Sequence, residues 1–209
     1  MRSAITLLCA VLVFCALLAV HPASAASPRE SLELSLTKIL DLIKSPDYAD
    51  NAKREGQRQK IDKIVRAHFD FQEFSSRTVG AGWRNFSAKQ KADFADAFAD
   101  LLINTYLRKI DGYNGEQIAY TGEKLSPKGD RSEIQTVISL KSGKKIPVNY
   151  RMLPKDGDWK VYDVLIENIS LVKNYRTQFQ DLLRTTDPDQ LIVRIREKSR
   201  EVQQSEAKR

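Results

Sequence analysis

The 209 residues hold only two cysteines, Cys9 and Cys15, and both fall within the first 25 positions. Beyond residue 25 the chain therefore has no disulfide, no thiol nucleophile and no cysteine zinc site, and its stability must come from a hydrophobic core. Histidine is almost as scarce. After His21 only His68 remains, which leaves a Ser/His/Asp triad or a histidine-rich metal centre poorly supported. Glycine-rich phosphate loops are missing too: Gly80-Ala81-Gly82 follows a helical pattern, where such loops follow a strand, and reads as a helix stop with a tight turn. There is no internal repeat and no low-complexity linker, so the roughly 180 residues after the leader make one domain with one sizeable core. Charge of one sign is not concentrated either. Lys and Arg number 34 against 27 Asp and Glu, and only Arg2 lies in the first 25 residues, which leaves +6 for the rest. No basic stripe or aromatic-basic motif marks a nucleic-acid surface. Attraction to anionic lipid head groups and an ordinary lysine-rich solvated surface both account for the surplus.

What is present begins with a leader. Met1 and Arg2 are a positive n-region, Ala4 to Val20 is apolar sequence apart from Thr6, and Ala23-Ser24-Ala25 is a small-x-small cleavage site. The pattern predicts a signal peptide over residues 1–25, a mature start near Ala26 and export to the periplasm. A membrane anchor is the alternative, but the run is at the short limit for a span and the cleavage signal follows directly. Lipid attachment requires a small residue before the modified cysteine, whereas Cys9 follows Leu8 and Cys15 follows Phe14.

The remainder is helical, then stranded, then helical. Ser27-Pro28 opens a helix with Leu32, Leu36, Ile39, Leu40 and Ile43 at helical spacing, to about Lys44. After Ser45-Pro46-Asp47 a second helix carries Ile61, Ile64, Val65, His68 and Phe69 on one stripe, with a polar, exposed first half over 50–60. Asp70 with Glu73 reads as a capping box for a short helix that stops at Gly80, and Ser87 with Gln90 repeats the device. Phe94, Phe98, Leu101, Leu102, Thr105, Tyr106 and Ile110 then line a long helix ended by Asp111-Gly112. From 117 the period becomes two. A weak strand over 117–125 precedes one with Ile134, Thr136, Ile138 and Leu140 on one face. The next has Ile146, Val148, Tyr150 and Met152 on one face, with Lys145, Asn149 and Arg151 on the other. After a turn at 155–158, the strand 159–166 is apolar on both faces and so more enclosed. Ser170 caps a helix, Asp187-Pro188 opens a last one, and the chain from about Lys198 is polar enough to fray. The class is α+β, with helices gathered over one face of an antiparallel sheet of about four strands.

The arrangement nearest to acid-base chemistry is Tyr162-Asp163 with Glu167. Small α+β isomerases and hydrolases place such a pair in an apolar pocket, yet strand neighbours point to opposite faces unless a bulge intervenes. Asp163 instead accepts hydrogen bonds from backbone or from an arginine such as Arg84 or Arg176, and His68 reads as a partly buried packing residue. The apolar faces of hairpin and long helix close on one another as a filled core or leave a hollow one, and periodicity does not separate the two. A solid protein-interaction domain is thus a further alternative.

Arg77-Thr78-Val79-Gly80 through Trp83-Arg84, with Gln90, Phe94, Phe98, Leu101-Leu102 and Thr105-Tyr106, resembles the first signature block of the periplasmic phospholipid shuttles of the maintenance-of-lipid-asymmetry pathway, the toluene-tolerance family. Trp159 to Val164, Glu167-Asn168-Ile169-Ser170-Leu171-Val172 and Asn174 to Phe179 resemble its second, more specific block. The likeness runs from about Ser27 to Lys198. It departs at Asn168, where the family usually has glycine; asparagine tolerates positive φ, so the turn survives. The loop 155–158 is also compact. The resemblance implies a cone-shaped, nuclear-transport-factor-like α+β fold over 26–198, a polar tail over 199–209, and an acyl-chain cavity between helices and sheet. Its expected lining is Trp83, Phe94, Phe98, Leu101, Leu102, Tyr106, Ile138, Ile146, Val148, Tyr150, Met152 and Val161. It implies no catalytic residue, cofactor or metal. The implied partners are phospholipid, an outer-membrane lipoprotein–porin complex and an inner-membrane ABC transporter with a lipid-binding MCE-type subunit, with no nucleic acid.

Overall fold

A computed structural model describes residues 26–107 and 115–207. The leader over 1–25 and the expected helix stop at Asp111-Gly112 lie outside them. Helix α1 (Pro28–Lys44) starts with a complete capping box, in which the Ser27 hydroxyl accepts from the Glu30 amide while the Glu30 carboxylate accepts from the Ser27 amide. A single helical turn, α2 (Pro46–Ala49), leads into α3 (Asn51–His68), capped by Asp50. The first half of α3 is not wholly exposed. Gln57 is buried and donates to Asp47 at 3.2 Å, above a small core of Ile43, Tyr48, Ile61 and Ile103. α4 (Phe71–Val79) has only half of its expected capping box. The Asp70 side chain accepts from the Glu73 amide, but the Asp70 amide donates to the Val161 carbonyl, so Glu73 turns instead to Arg77. Gly80, at φ 71°, stops this helix, and a 3-10 segment (Gly80–Asn85) follows. The Ser87–Gln90 box is complete at the start of α5 (Ala88–Leu107).

The sheet is an antiparallel meander in the order β1 (Gln117–Leu125), β2 (Ser132–Ser139), β3 (Lys145–Lys155), β4 (Asp158–Ile166) and β5 (Ile169–Ser170). Five strands replace the expected four because β5 has only two residues, too few to show an alternation. Asp156-Gly157 and Glu167-Asn168 are pairs of positive-φ residues, the geometry that joins two twisted strands by a tight hairpin turn. Asn168, at φ 65°, holds the conformation usually given to glycine. α6 (Leu171–Leu182) is capped by Ser170. α7 (Pro188–Ala207) opens on the Asp187 side chain and extends well past Lys198, since buried Ser199 is held by Asn104 of α5 at 2.9 Å.

Two packing regions result. α4, α5, α6 and α7 close on a cluster of rings: Phe98 meets Phe74, Phe179 and Tyr175 edge-on at 4.9–5.5 Å, and Phe94 meets Trp83, Phe86 and Phe179 in the same way. Edge-to-face packing fills space efficiently and adds to the value of ring burial. α1 and α3 instead stand across from the sheet. Their position is fixed by polar ties: the Ser31 hydroxyl donates to Asp158 (2.9 Å), and Arg66 on α3 joins Asp62 to Asp96 and Asp100 of α5.

Candidate lipid-binding site

Between α1, α3 and the sheet is a cavity of about 260 Å³. α1 contributes Leu32, Ser35, Leu36 and Ile39, α3 contributes Ile61, Ile64, Val65 and His68, and the C-terminal part of α5 contributes Leu102, Ile103 and Tyr106. Phe69, Phe71 and Phe74 close one side and Leu171 another, while Ile138, Val148, Tyr150, Val161, Val164 and Ile166 form the sheet wall. Strand register explains the wall. Ile138 faces Ile146, Thr136 faces Val148 and Ile134 faces Tyr150, so alternate residues of both strands stand on the helix side.

Strict alternation ends in β4. Met152 pairs with Val161 and Arg151 pairs with Asp163, which leaves Tyr162 as an inserted bulge residue. The insertion turns both Val161 and Val164 to the cavity, whereas neither Tyr162 nor Asp163 lines it. Tyr162 lies under the Arg77 guanidinium at 4.3 Å. Asp163, buried, accepts from the Ser170 hydroxyl (2.7 Å), the Val172 amide (3.1 Å) and Arg151 (3.3 Å). The arginine expected there was Arg84 or Arg176. The cross-strand neighbour Arg151 takes the place because register sets it directly opposite, and Arg176 donates to the Arg77 carbonyl (2.8 Å). This carboxylate is a structural joint between β4 and the start of α6.

The electrostatics of the lining are uniform. Among the described residues its titratable side chains are His68, Tyr106 and Tyr150. Burial pushes both phenols up; at Tyr150 the neighbouring Tyr120 adds to the effect. Burial pushes the imidazole down, helped by Lys160. Each shift favours the neutral form, so the interior carries no charge near neutral pH. Ser35 is satisfied locally, since its hydroxyl donates to the Leu32 carbonyl at 2.8 Å. Among the described residues no three His, Cys, Asp or Glu side chains converge as a metal site requires. An uncharged, aliphatic and aromatic hollow with few polar atoms holds apolar matter better than water.

Of the twelve residues expected at the lining, Leu102, Tyr106, Ile138, Val148, Tyr150 and Val161 are there. Trp83, Phe94 and Phe98 belong to the filled ring cluster. Leu101, one position from Leu102, faces a separate hollow between α5, α6 and α7. Met152 is buried in the main core opposite the β4 bulge, and Ile146 packs against that core from the end of the strand. The stripes of α1 and α3 were visible as apolar periodicity, but nothing in a stripe says whether its partner lies in contact or across a gap.

The family model for MlaC protein matches residues 34–197. The chain belongs to the MlaC family. Within that range lie the last eleven residues of α1, every element from α2 to α6, the first ten of the twenty residues of α7, and all of the cavity wall except Leu32. Two relatives are each 22% identical to the chain. One is the intermembrane phospholipid transport system binding protein MlaC of Haemophilus influenzae, aligned over 78% of this chain and 79% of its own length. The other is the toluene tolerance protein ttg2D of Pseudomonas putida, over 79% and 77%. A solved phospholipid-binding protein of Ralstonia solanacearum, in complex with a phospholipid, shares the fold with a TM-score of 0.73 at 22% identity, covering 85% of this chain and 99% of that one.

Proposed function

We propose that this member of the MlaC family binds phospholipid by sheltering acyl chains in the hollow between α1, α3 and the sheet, and carries it through the periplasm. The observation that supports this reading most directly is the lining itself, a wall of Leu, Ile, Val and Phe whose titratable members are all shifted toward neutrality. The physical need is large. Two acyl chains expose about 30 methylenes, and at ~0.8 kcal/mol each, crossing water unshielded costs on the order of 25 kcal/mol. A dry cavity removes most of that barrier with no bond made or broken. Among the described residues no helix is long and apolar enough to cross a membrane, which suits a protein that moves between two membranes. The two complexes between which it carries lipid are, in this reading, an outer-membrane lipoprotein–porin complex and an inner-membrane ABC transporter with an MCE-type subunit. The related names, intermembrane phospholipid transport and toluene tolerance, support the same assignment. The test is to purify the protein without detergent, extract it with organic solvent and analyse the extract by mass spectrometry. Stoichiometric phospholipid is expected, and repeated lipid-free preparations that also fail to take lipid from vesicles would remove the carrier reading.

A further inference from the structure

A bound phospholipid has a charged end as well as two chains, and the cavity treats its surroundings unequally. Most of the lining has no unused polar atom. His68, at the C-terminal end of α3, is the exception: it is only partly buried, it lines the cavity, and its Nδ1 is buried with no hydrogen-bond partner. A native orphan of this kind calls for a partner that completes it. The cations around it are placed independently. Lys160 of β4 reaches the carbonyl of the preceding residue, Ala67, at 2.8 Å and is steadied by Asp158 at 2.9 Å. Lys38 of α1, exposed and in no ion pair among the described residues, stands one helical turn beyond the lining Ser35 and beside the lining Ile39, and its charge acts on the imidazole. Among the described residues Asp158 is the acid that acts on the same ring, and it is already engaged by Ser31, Lys160 and the Trp159 amide.

We infer that His68, Lys38 and Lys160 form a phosphate-binding rim on the α1–α3 side of the cavity, which holds the head-group phosphate of a phospholipid whose chains occupy the hollow. The inference rests on the carrier reading and gives it an orientation: chains run inward toward Tyr150 and Val164 while the phosphodiester stays at the helix rim. The imidazole N–H donates to a phosphate oxygen and the two ammonium groups balance its charge, the charge-assisted pattern that suits phosphate. The rim touches only the phosphate, so it requires no particular alcohol on the head group.

Dioleoylphosphatidylglycerol and dioleoylglycerol separate the two ideas, because they carry the same chains and differ by the phosphate group and its glycerol. Delipidated protein is loaded from vesicles containing either lipid, and retention is measured for the wild type, Lys38→Glu and Lys38→Glu/Lys160→Gln, which spare the cavity lining, each checked by thermal melt. The double variant is expected to lose phospholipid affinity about ten-fold, the order of one charge-assisted hydrogen bond, with diacylglycerol retention unchanged. Lys38→Glu, at an exposed position, carries the test alone if the double variant does not fold. Unchanged phospholipid retention, or an equal loss of both lipids, overturns the rim while leaving the carrier reading intact. A wild type that takes neither lipid overturns both. Inorganic phosphate titrated against the His68 imidazole resonances distinguishes the source of the anion: a shift with free phosphate and none with the phospholipid would make this a free-anion site and contradict the inference.

Discussion

The two halves of the helical layer are built from similar apolar content and end differently. Around Phe94, Phe98, Tyr175 and Phe179 the side chains are planar, come from helices in direct contact, and meet edge to face or tilted at 4.9–5.8 Å. Around Leu36, Ile64, Val148 and Ile166 they are short and branched, and stand on elements whose separation is set elsewhere, by the Ser31–Asp158 and Arg66–Asp100 ties and by the small core under Ile61 and Ile103. Aliphatic side chains of that length do not span the gap. Whether an apolar surface becomes core or cavity is thus decided less by its hydrophobicity than by what holds its backbone in place. Phe74 is the partition, lining the hollow and meeting the Phe98 ring on its other side.

Mutation in the filled half gives the largest contrast. Phe98→Ala should cost about 3–5 kcal/mol, as truncating a fully packed ring does, with a large drop in melting temperature; a small drop would mean that this half is not filled either. Tryptophan at two sites on the same strand face, four residues apart, sharpens the comparison. Met152→Trp enters packed core and should lose ~1–3 kcal/mol by overpacking. Val148→Trp enters the hollow, where the ring has room, and should lose less stability but most of the retained phospholipid. Equal destabilisation by both would erase the distinction between halves.

Asp163→Asn tests the joint where the two halves meet behind β4. With Ser170, Val172 and Arg151 all depending on that carboxylate, the loss should be about 1–3 kcal/mol, seen in denaturant melts, with lipid content unchanged. Abolished cellular function with folding, lipid content and transfer all normal would favour chemistry at Asp163 instead. The smallest effect belongs to His68. Its imidazole is held below the ordinary histidine value by burial, Lys160 and Lys38, so the unfolded chain takes up its proton first as pH falls. Stability of lipid-free protein should be full above about pH 6.5 and decline below it, the sign for a depressed histidine. His68→Gln should flatten that part of the pH profile, and an unchanged profile would place the imidazole in water.

Much of this organisation is legible before folding because it is local. The capping sequences at Ser27 and Ser87, the Gly80 stop, the turns at 155–158 and the alternation through β2 and β3 depend on neighbours within a few residues, and each is present. The failures have non-local causes. Helix α5 is apolar on several sides, so its periodicity groups Phe94, Phe98 and Leu101 with Leu102 and Tyr106 although only the latter pair faces the cavity. The bulge at Tyr162 is a property of pairing with β3, invisible in β4 alone, and it changes which residues share a face. The expected fraying after Lys198 overlooks Asn104, far back in the chain, which holds Ser199 and lets α7 continue. The lining supplied by α1 and α3 is not legible in the sequence, because their stripes would look the same against a filled core.

The assignment of the hollow half to acyl chains is tested most directly by photo-crosslinking with a phospholipid that carries a diazirine at the end of one chain, followed by peptide mapping. Label is expected on residues of the sheet wall and the facing helices, such as Val148, Val164 and Ile64, with loss of labelling in Val148→Trp. Label concentrated on the Phe94–Phe179 cluster or in the α5–α7 groove, with none on the sheet wall, would contradict the account.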